Sequence, residues 1–111
     1  MQSIQQIISK VGTALATVSS KCYHYRKPNN AAPAYIVWAE DREEGSFNAN
    51  NVKQEQTIHG TVDYFTQAEY DTAVDSIQTA LTDAGAGYRI NSVQYEDDTK
   101  LIHYEWEFWV N

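Results

Sequence analysis

Apolar residues recur every three or four positions near the start of the chain and predict an amphipathic helix from Ser3 to Val18. The stripe consists of Ile4, Ile7, Ile8, Val11, Leu15 and Val18. Ser3 and Gln6 match a capping box, in which each side chain bonds the free backbone amide of the other residue. Small residues around Gly12 allow another part of the chain to approach this helix closely.

Alternating apolar and polar positions predict a series of strands farther along the chain. The predicted strands are Ala34 to Glu40, Val52 to Phe65, Tyr88 to Tyr95 and Leu101 to Val110, and Cys22 to Arg26 is a candidate for a further short strand that the order below does not count. The alternation slips between Ile90 and Val93, which predicts a bulge near Asn91 and Ser92. Gly60, inside a long strand, indicates a bulge or a close approach of another group.

Two connections are predicted in the middle of the chain. The polar stretch DREEGSFNANN, Asp41 to Asn51, predicts a loop of about ten residues, longer than most hairpin connections. Thr66 and Glu69 match a second capping box and predict that the strand ends where a helix begins. That helix is expected from Gln67 to Ala84, with Tyr70 on its buried stripe and Gly85 as its left-handed stop.

The order of helices and strands defines the expected fold class. The pattern α-β-β-α-β-β predicts one α+β domain over residues 1–111, with two helices packed on one face of an antiparallel sheet. A chain of 111 residues is long enough to bury one hydrophobic core without disulfides.

Charge is distributed unevenly along the chain, whose formal net charge is −7. Residues 1–39 contain four basic side chains and no acidic one, whereas residues 40–111 contain all 15 acidic side chains and four basic ones. The net acidity argues against a partner held by contacts to duplex DNA phosphates. Segregated charge suits head-to-tail contact between copies, unless the fold mixes the two halves on every face.

Residue types capable of chemistry are present, but they lack motif spacing. His24, His59 and His103 stand apart, and Cys22 has only His24 nearby. Glu105 and Glu107 share a strand face, and Asp63 lies in an otherwise apolar strand; edge protection and a half-exposed face explain both. The acids around Asp41 lack the calcium-loop order. We therefore expect no enzyme, metal or cofactor.

Two further expectations concern location and surface. No apolar run reaches the roughly 20 residues of a membrane span, and the N-terminus lacks a signal-peptide pattern, so synthesis in the cytosol is expected. Fourteen of the 111 residues are aromatic. Trp38 and Trp109 are predicted on the strand face opposite the core, where they either contact another protein or pack a second layer.

The string VKQEQTIHGTVDYFTQAEYDTAVDSIQTAL resembles the central segment of tail terminator, or tail-to-head joining, proteins of long-tailed bacteriophages. The likeness lies in a strand with apolar, Asp and aromatic residues at Val62, Asp63 and Tyr64, followed by a helix ending in Ile77 and Leu81. PAYIVWAED before it and YEDDTKLIHYEWEFWV after it fit the same layout, so the resemblance covers most of the chain.

The resemblance implies a structural virion protein without catalytic activity. In that family a ring, usually of six copies, caps the tail tube, stops its polymerisation and joins it to the head connector, while DNA passes through an acidic lumen without specific binding. The interface residues implied here are Asp41, Arg42, Glu43, Glu44, Phe47, Asn50, Trp38 and Trp109. Another neck or head-completion protein of the same virion, and a cytosolic small-molecule-binding or regulatory domain, are the alternatives.

Overall fold

The structure, a computed structural model, describes the backbone of residues 2–49 and 52–111 and the side chains of residues 2–43 and 56–111. Two helices and five strands make up this part of the chain. In order they are α1 (Ile4–Ala16), β1 (Cys22–His24), β2 (Tyr35–Ala49), β3 (Val52–Thr66), α2 (Ala73–Asp83), β4 (Gly87–Glu96) and β5 (Leu101–Val110).

The strands form one five-stranded sheet in the order β1-β2-β3-β5-β4, which confirms the α+β class. The expectation of a purely antiparallel sheet is wrong, because β1 runs parallel to β2. Residues 25–34 carry the chain back to the level at which β1 began, so β2 starts in the same direction. Three strands therefore precede α2, one more than the predicted order allowed.

The predicted loop from Asp41 to Asn51 is also wrong over its described part. β2 continues to Ala49, and it pairs with β3 as far as the pair Ala49 and Val52. β3 pairs with β5 only from Ile58 onward, so the outer part of the hairpin is a two-stranded extension. Residues 44–49 and 52–57 are called the arm below. A two-stranded ribbon that packs on no core does not need alternating apolar and polar residues. The polar sequence of this segment therefore indicated a loop.

The junction between β3 and α2 differs from the predicted capping box. α2 begins at Ala73, and its N-cap, Thr72, makes no side-chain cap hydrogen bond. Thr66 does end the strand, but its hydroxyl donates to Asp71 at 2.7 Å instead of capping a helix at Gln67. Asp71 also accepts hydrogen bonds from the Tyr64 hydroxyl at 2.7 Å and the Ala73 amide at 2.9 Å. Tyr70, predicted to be buried, is 94% exposed.

Helix α1 follows its prediction closely. The Ser3 and Gln6 capping box is formed, and Ile7, Val11 and Leu15 are buried. Gly12 lies against the indole of Trp38, because a Cβ atom there would sit 2.8 Å from Trp38 Cζ2. The prediction that Trp38 faces away from the core is therefore wrong: it is 6% exposed and belongs to the core.

Strands β4 and β5 form the second hairpin, and their predicted details are confirmed. The register shifts between Ile90 and Ser92, which places the bulge at Asn91. Trp106, Phe108 and Val110 are buried, as the alternation of the last strand predicts. Gly60 lies beneath the Phe108 ring, and it sits beside a second register shift, opposite Asp41.

Both helices pack on the same face of the sheet. The core joins the apolar stripes of α1 and α2 to inward residues of β2, β3 and β5, among them Ile36, Val62, Trp106 and Phe108. Among the residues that the structure describes, neither helix has the length and apolar character needed to cross a membrane.

Candidate functional site

The sheet face opposite the helices carries most of the polar groups that the strands position. We call it the open face. Strand alternation places every second residue there, because paired residues of neighbouring strands point to the same side. The open face is formed by Tyr35, Val37, Ala39, His59, Thr61, Asp63, Phe65, Arg89, Ser92, Gln94, Glu96, His103, Glu105, Glu107 and Trp109.

A first cluster on this face is centred on His59, which is only 4% exposed. Its Nδ1 atom lies 2.8 Å from Asp41, and its Nε2 atom lies 3.4 Å from Glu107. Glu107 also pairs with Arg89. The bulge between Glu40 and Arg42 brings Asp41 into reach of His59. Burial raises the pKa of Glu107, but hydrogen bonds from His59 and Arg89 outweigh it, so this pKa lies below its ordinary value.

A second cluster is centred on His103. Its Nε2 atom lies 2.7 Å from Asp63, and its Nδ1 atom lies 3.2 Å from Glu96. The imidazole stacks on the Phe65 ring at a centroid distance of 4.2 Å. Burial raises the pKa of Asp63, the bond to His103 lowers it in part, and the net pKa lies above the ordinary value. Three neighbouring strands thus fix one imidazole between two carboxylates.

An aromatic row crosses the same face. Tyr35 stacks on Phe65 at 4.9 Å, and Phe65 in turn stacks on His103. The Lys27 ammonium lies 5.8 Å from the Tyr35 ring centroid, within the range of a cation–π contact. The Tyr35 and Phe65 rings border a shallow depression of about 190 Å³ together with Lys27, Val37 and Asp63.

Another shallow depression, of about 400 Å³, lies beside the His59 cluster. Arg42, Arg89 and Trp109 line it together with His59 and Glu107. Trp109 is 36% exposed, and its indole covers Gly87 so closely that any Cβ atom there would clash. A depression this open suits a side chain of another protein better than it suits an enclosed small ligand.

These clusters are arrangements of hydrogen-bonded imidazole, carboxylate and guanidinium groups. Within the described side chains, no group of three or more His, Cys, Asp or Glu residues has the geometry to hold a metal ion. Five carboxylates, those of Asp41, Asp63, Glu96, Glu105 and Glu107, belong to the face or its clusters. The guanidinium groups near them are those of Arg42 and Arg89. The open face is therefore acidic on balance.

The structure places the predicted interface residues in different surroundings. Asp41 and Arg42 lie at the base of the arm beside His59, and Glu43 follows them in β2. Trp109 lies on the open face, whereas Trp38 is buried. The side chains of Glu44 and Phe47, and all of Asn50, lie outside the described residues.

Sequence reasoning missed the two histidine clusters. The prediction that Glu105 and Glu107 share a strand face is confirmed, but His59 and His103 were taken to stand apart from other chemical groups. Their partners come from other strands, and the register that joins Asp63 to His103 across 40 residues leaves no local signal. The available sign of these clusters in the sequence was that a histidine and acidic residues occupy alternate positions in each of two strands.

The fold and this face define a small α+β domain with an acidic, helix-free sheet surface. No protein-family model matches the chain, and neither does any curated protein. Among solved structures, it is similar to a chain of the virion of a native gene transfer agent (GTA) particle, with a TM-score of 0.58 and 14% sequence identity. The match covers 97% of this chain and 92% of that chain, so the two share a fold over nearly their whole lengths.

Proposed function

We propose that this chain is a structural protein of a phage-like virion, and specifically a tail terminator. Copies form a ring, of six in this proposal, that caps the tail tube, ends its polymerisation and joins it to the head connector. The observation that carries the proposal is the fold shared with a chain of the gene transfer agent virion over 97% of this chain. The protein is made in the host cytoplasm and ends at the head-proximal end of the tail.

The open face supports a lining role in such a ring. Its excess of carboxylates repels the DNA backbone, by the converse of the attraction that basic side chains exert on phosphates. Duplex DNA then moves through the ring without binding to it. The helices, which cover the opposite face of the sheet, then lie on the outside of the ring.

The arm supports a contact with a neighbouring copy or with the tube. An isolated two-stranded hairpin is marginally stable in water, so a partner surface beside the arm would stabilise it. We place Asp41, Arg42 and Glu43 at the base of this contact and Glu44 and Phe47 farther along it, and Asn50, which lies outside the described residues, stays a predicted member of the interface. Trp109, half-exposed beside Arg42, is an anchor on the body of the subunit.

Native mass spectrometry and negative-stain images of the purified protein test the ring directly. We expect a closed ring of about six copies and a central opening. A monomer or a simple dimer at micromolar concentration would contradict the ring and favour a small-molecule-binding or regulatory domain.

Growth of purified tube protein tests the capping role. Addition of the ring is expected to stop elongation at substoichiometric amounts, because one ring blocks one tube end. A ring that leaves tube growth unchanged would point to another neck or head-completion protein of the virion instead.

Charge reversal at Arg42 tests the arm contact. We expect Arg42→Glu and Phe47→Ala each to reduce the ring fraction in native mass spectra. Lys10→Glu, on helix α1 away from both the arm and the sheet edges, is the control and should leave the ring intact. Indifference of the ring to both arm variants would remove the arm from the interface.

A further inference from the structure

One edge of the sheet, the outer side of β4, is long and apolar. Its residues Ile90, Val93 and Tyr95 are 44%, 50% and 59% exposed, and they point to the same side as the core residues of β5. Among the strands that the structure describes, none lies beside the outer backbone groups of β4. An exposed edge with apolar side chains readily pairs with a strand of another chain.

The opposite edge of the sheet, β1, is flanked by basic side chains, and the Glu40 carboxylate is bonded to its residue His24 and to Tyr25. Lys21, Arg26 and Lys27 flank β1, and Tyr25 beside it is 60% exposed. Glu96, Asp97 and Asp98 follow the end of β4 on the other side of the molecule. Lys21, before β1, therefore lies at the same end of the sheet as Glu96 and is complementary to it in charge, whereas Arg26 and Lys27 follow β1 at the other end, toward the level of Arg89. Both edges offer exposed apolar surface.

The register across the sheet brings these edges to the same height. One row of paired residues runs Cys22, Ile36, Tyr64, Tyr104 and Val93. In a second row, by the same pairings, His24 is level with Ile90. A copy related by pure rotation about an axis along the strands would therefore present Cys22 opposite Val93.

We propose that copies of this chain join head to tail through these edges, with β4 of one copy pairing with β1 of the next. The directions in the sheet make this pairing antiparallel, because β1 is parallel to β2 and β4 is antiparallel to both. Lys21 then lies beside Gln94 and Glu96 of the adjoining copy. This inference rests on the proposed ring and names the surface that closes it.

Strand spacing gives a ring of suitable size. Five strands at about 4.8 Å each give each copy a width of about 24 Å, and six copies give a circumference of about 145 Å. The corresponding diameter is about 45 Å, which leaves room for a DNA duplex inside the open face. Contacts of this kind are heterologous, and they close into a ring only when each copy repeats the same rotation.

A disulfide between copies tests the register, because Cys22 is the chain's only cysteine. In the variant Val93→Cys the two thiols of adjoining copies lie directly opposite each other. Opposed residues of antiparallel strands have Cα atoms about 4.5–5.5 Å apart, within the range a disulfide spans. Burial raises the pKa of the Cys22 thiol, so oxidation is performed in alkaline buffer.

A ladder of covalent multimers on a non-reducing gel, ending at the ring size, is the expected result. It should vanish in Val93→Cys combined with Cys22→Ser, and Tyr70→Cys, which is far more exposed, should give no ladder. Dimers that persist without Cys22 would show a two-fold contact between β4 edges and overturn the inference.

Charge exchange supplies a second measurement that does not depend on oxidation. Lys21→Glu and Glu96→Lys should each weaken ring formation about tenfold, and the double variant should recover most of it. If native mass spectra show an intact ring but neither cross-linking nor charge reversal affects it, the copies meet elsewhere and the proposed function stands. If the wild-type protein forms no ring, both proposals fail.

Discussion

The two faces of the sheet are composed and stabilised differently. The helix-covered face is filled by apolar side chains such as Val62, Trp106 and Phe108, which are 0–1% exposed. The open face holds its charged groups in two histidine clusters that solvent partly reaches. Buried apolar area stabilises a fold by several kcal/mol per large side chain, whereas partly exposed ion pairs contribute little. Stability therefore resides mainly on one face, and the other is available for contact.

The largest expected change in stability comes from a comparison of two tryptophans on the same strand. Trp106→Ala removes a fully buried ring whose Nε1 donates to Gln78 at 3.0 Å, and we expect a loss of about 3–5 kcal/mol. Trp109→Ala, on the open face, should cost less than half as much. Urea unfolding followed by circular dichroism measures both. Equal losses would mean that the two faces contribute alike.

A second test adds one methyl group to each face at neighbouring positions. In Gly60→Ala the new Cβ would clash with the Ala39 carbonyl oxygen and with the Phe108 ring, so we expect a loss of about 2–3 kcal/mol. Thr61→Val, on the open face, retains the side-chain shape and should change the free energy of unfolding by less than about 1 kcal/mol. A tolerated Gly60→Ala would contradict the close packing.

The junction between β3 and α2 provides a third test, at the rim of the covered face. Asp71→Ala removes acceptors for Tyr64, Thr66 and Ala73 and should cost about 1–2 kcal/mol at pH 7. Glu69→Ala, the residue of the rejected capping box, is the control and should cost almost nothing. If Glu69→Ala cost more stability than Asp71→Ala, the capping box between Thr66 and Glu69 would be supported instead.

The same junction has a predictable pH dependence. Burial raises the pKa of Asp71, but the hydrogen bonds from Tyr64, Thr66 and the Ala73 amide outweigh it and hold this pKa below its ordinary value. A carboxyl group whose pKa is lower in the folded than in the unfolded protein stabilises the fold at pH values above its unfolded-state pKa. This stabilisation is lost as the pH falls through the pKa of the folded state. The cost of Asp71→Ala should therefore shrink in acid unfolding series below pH 4.

The smallest expected effects belong to the open face. Glu107→Gln should cost less stability than any covered-face change, and this cost should fall further when salt is added. Carboxyl NMR titration should place the pKa of Glu107 below its ordinary value and that of Asp63 above it, for the causes given above. Identical ordinary values would indicate that the clusters do not persist in solution.

Sequence patterns predicted the parts of the fold that depend on one continuous segment. The sequence predicted four such features correctly: the apolar stripe of α1, its capping box, the bulge at Asn91 and the outward position of Trp109. Each of them is determined by neighbours a few residues away. The parallel pairing of β1 and the buried position of Trp38 depend on partners farther along the chain, and the arm was missed because a two-stranded ribbon needs no apolar alternation. Thr66 misled because its hydroxyl bonds Asp71, a competing local partner that the T-x-x-E spacing ignores.

The contact between Trp38 and Gly12 has a practical consequence for studies of assembly. Trp38 also stacks on His24 in β1 at a ring distance of 3.9 Å, so its indole touches both the first helix and the strand at the sheet's basic edge. The remaining indoles sit in the core and on the acidic surface. Intrinsic fluorescence therefore samples three separate environments, and single-tryptophan variants can follow the sheet edge, the core and the open face without an added dye.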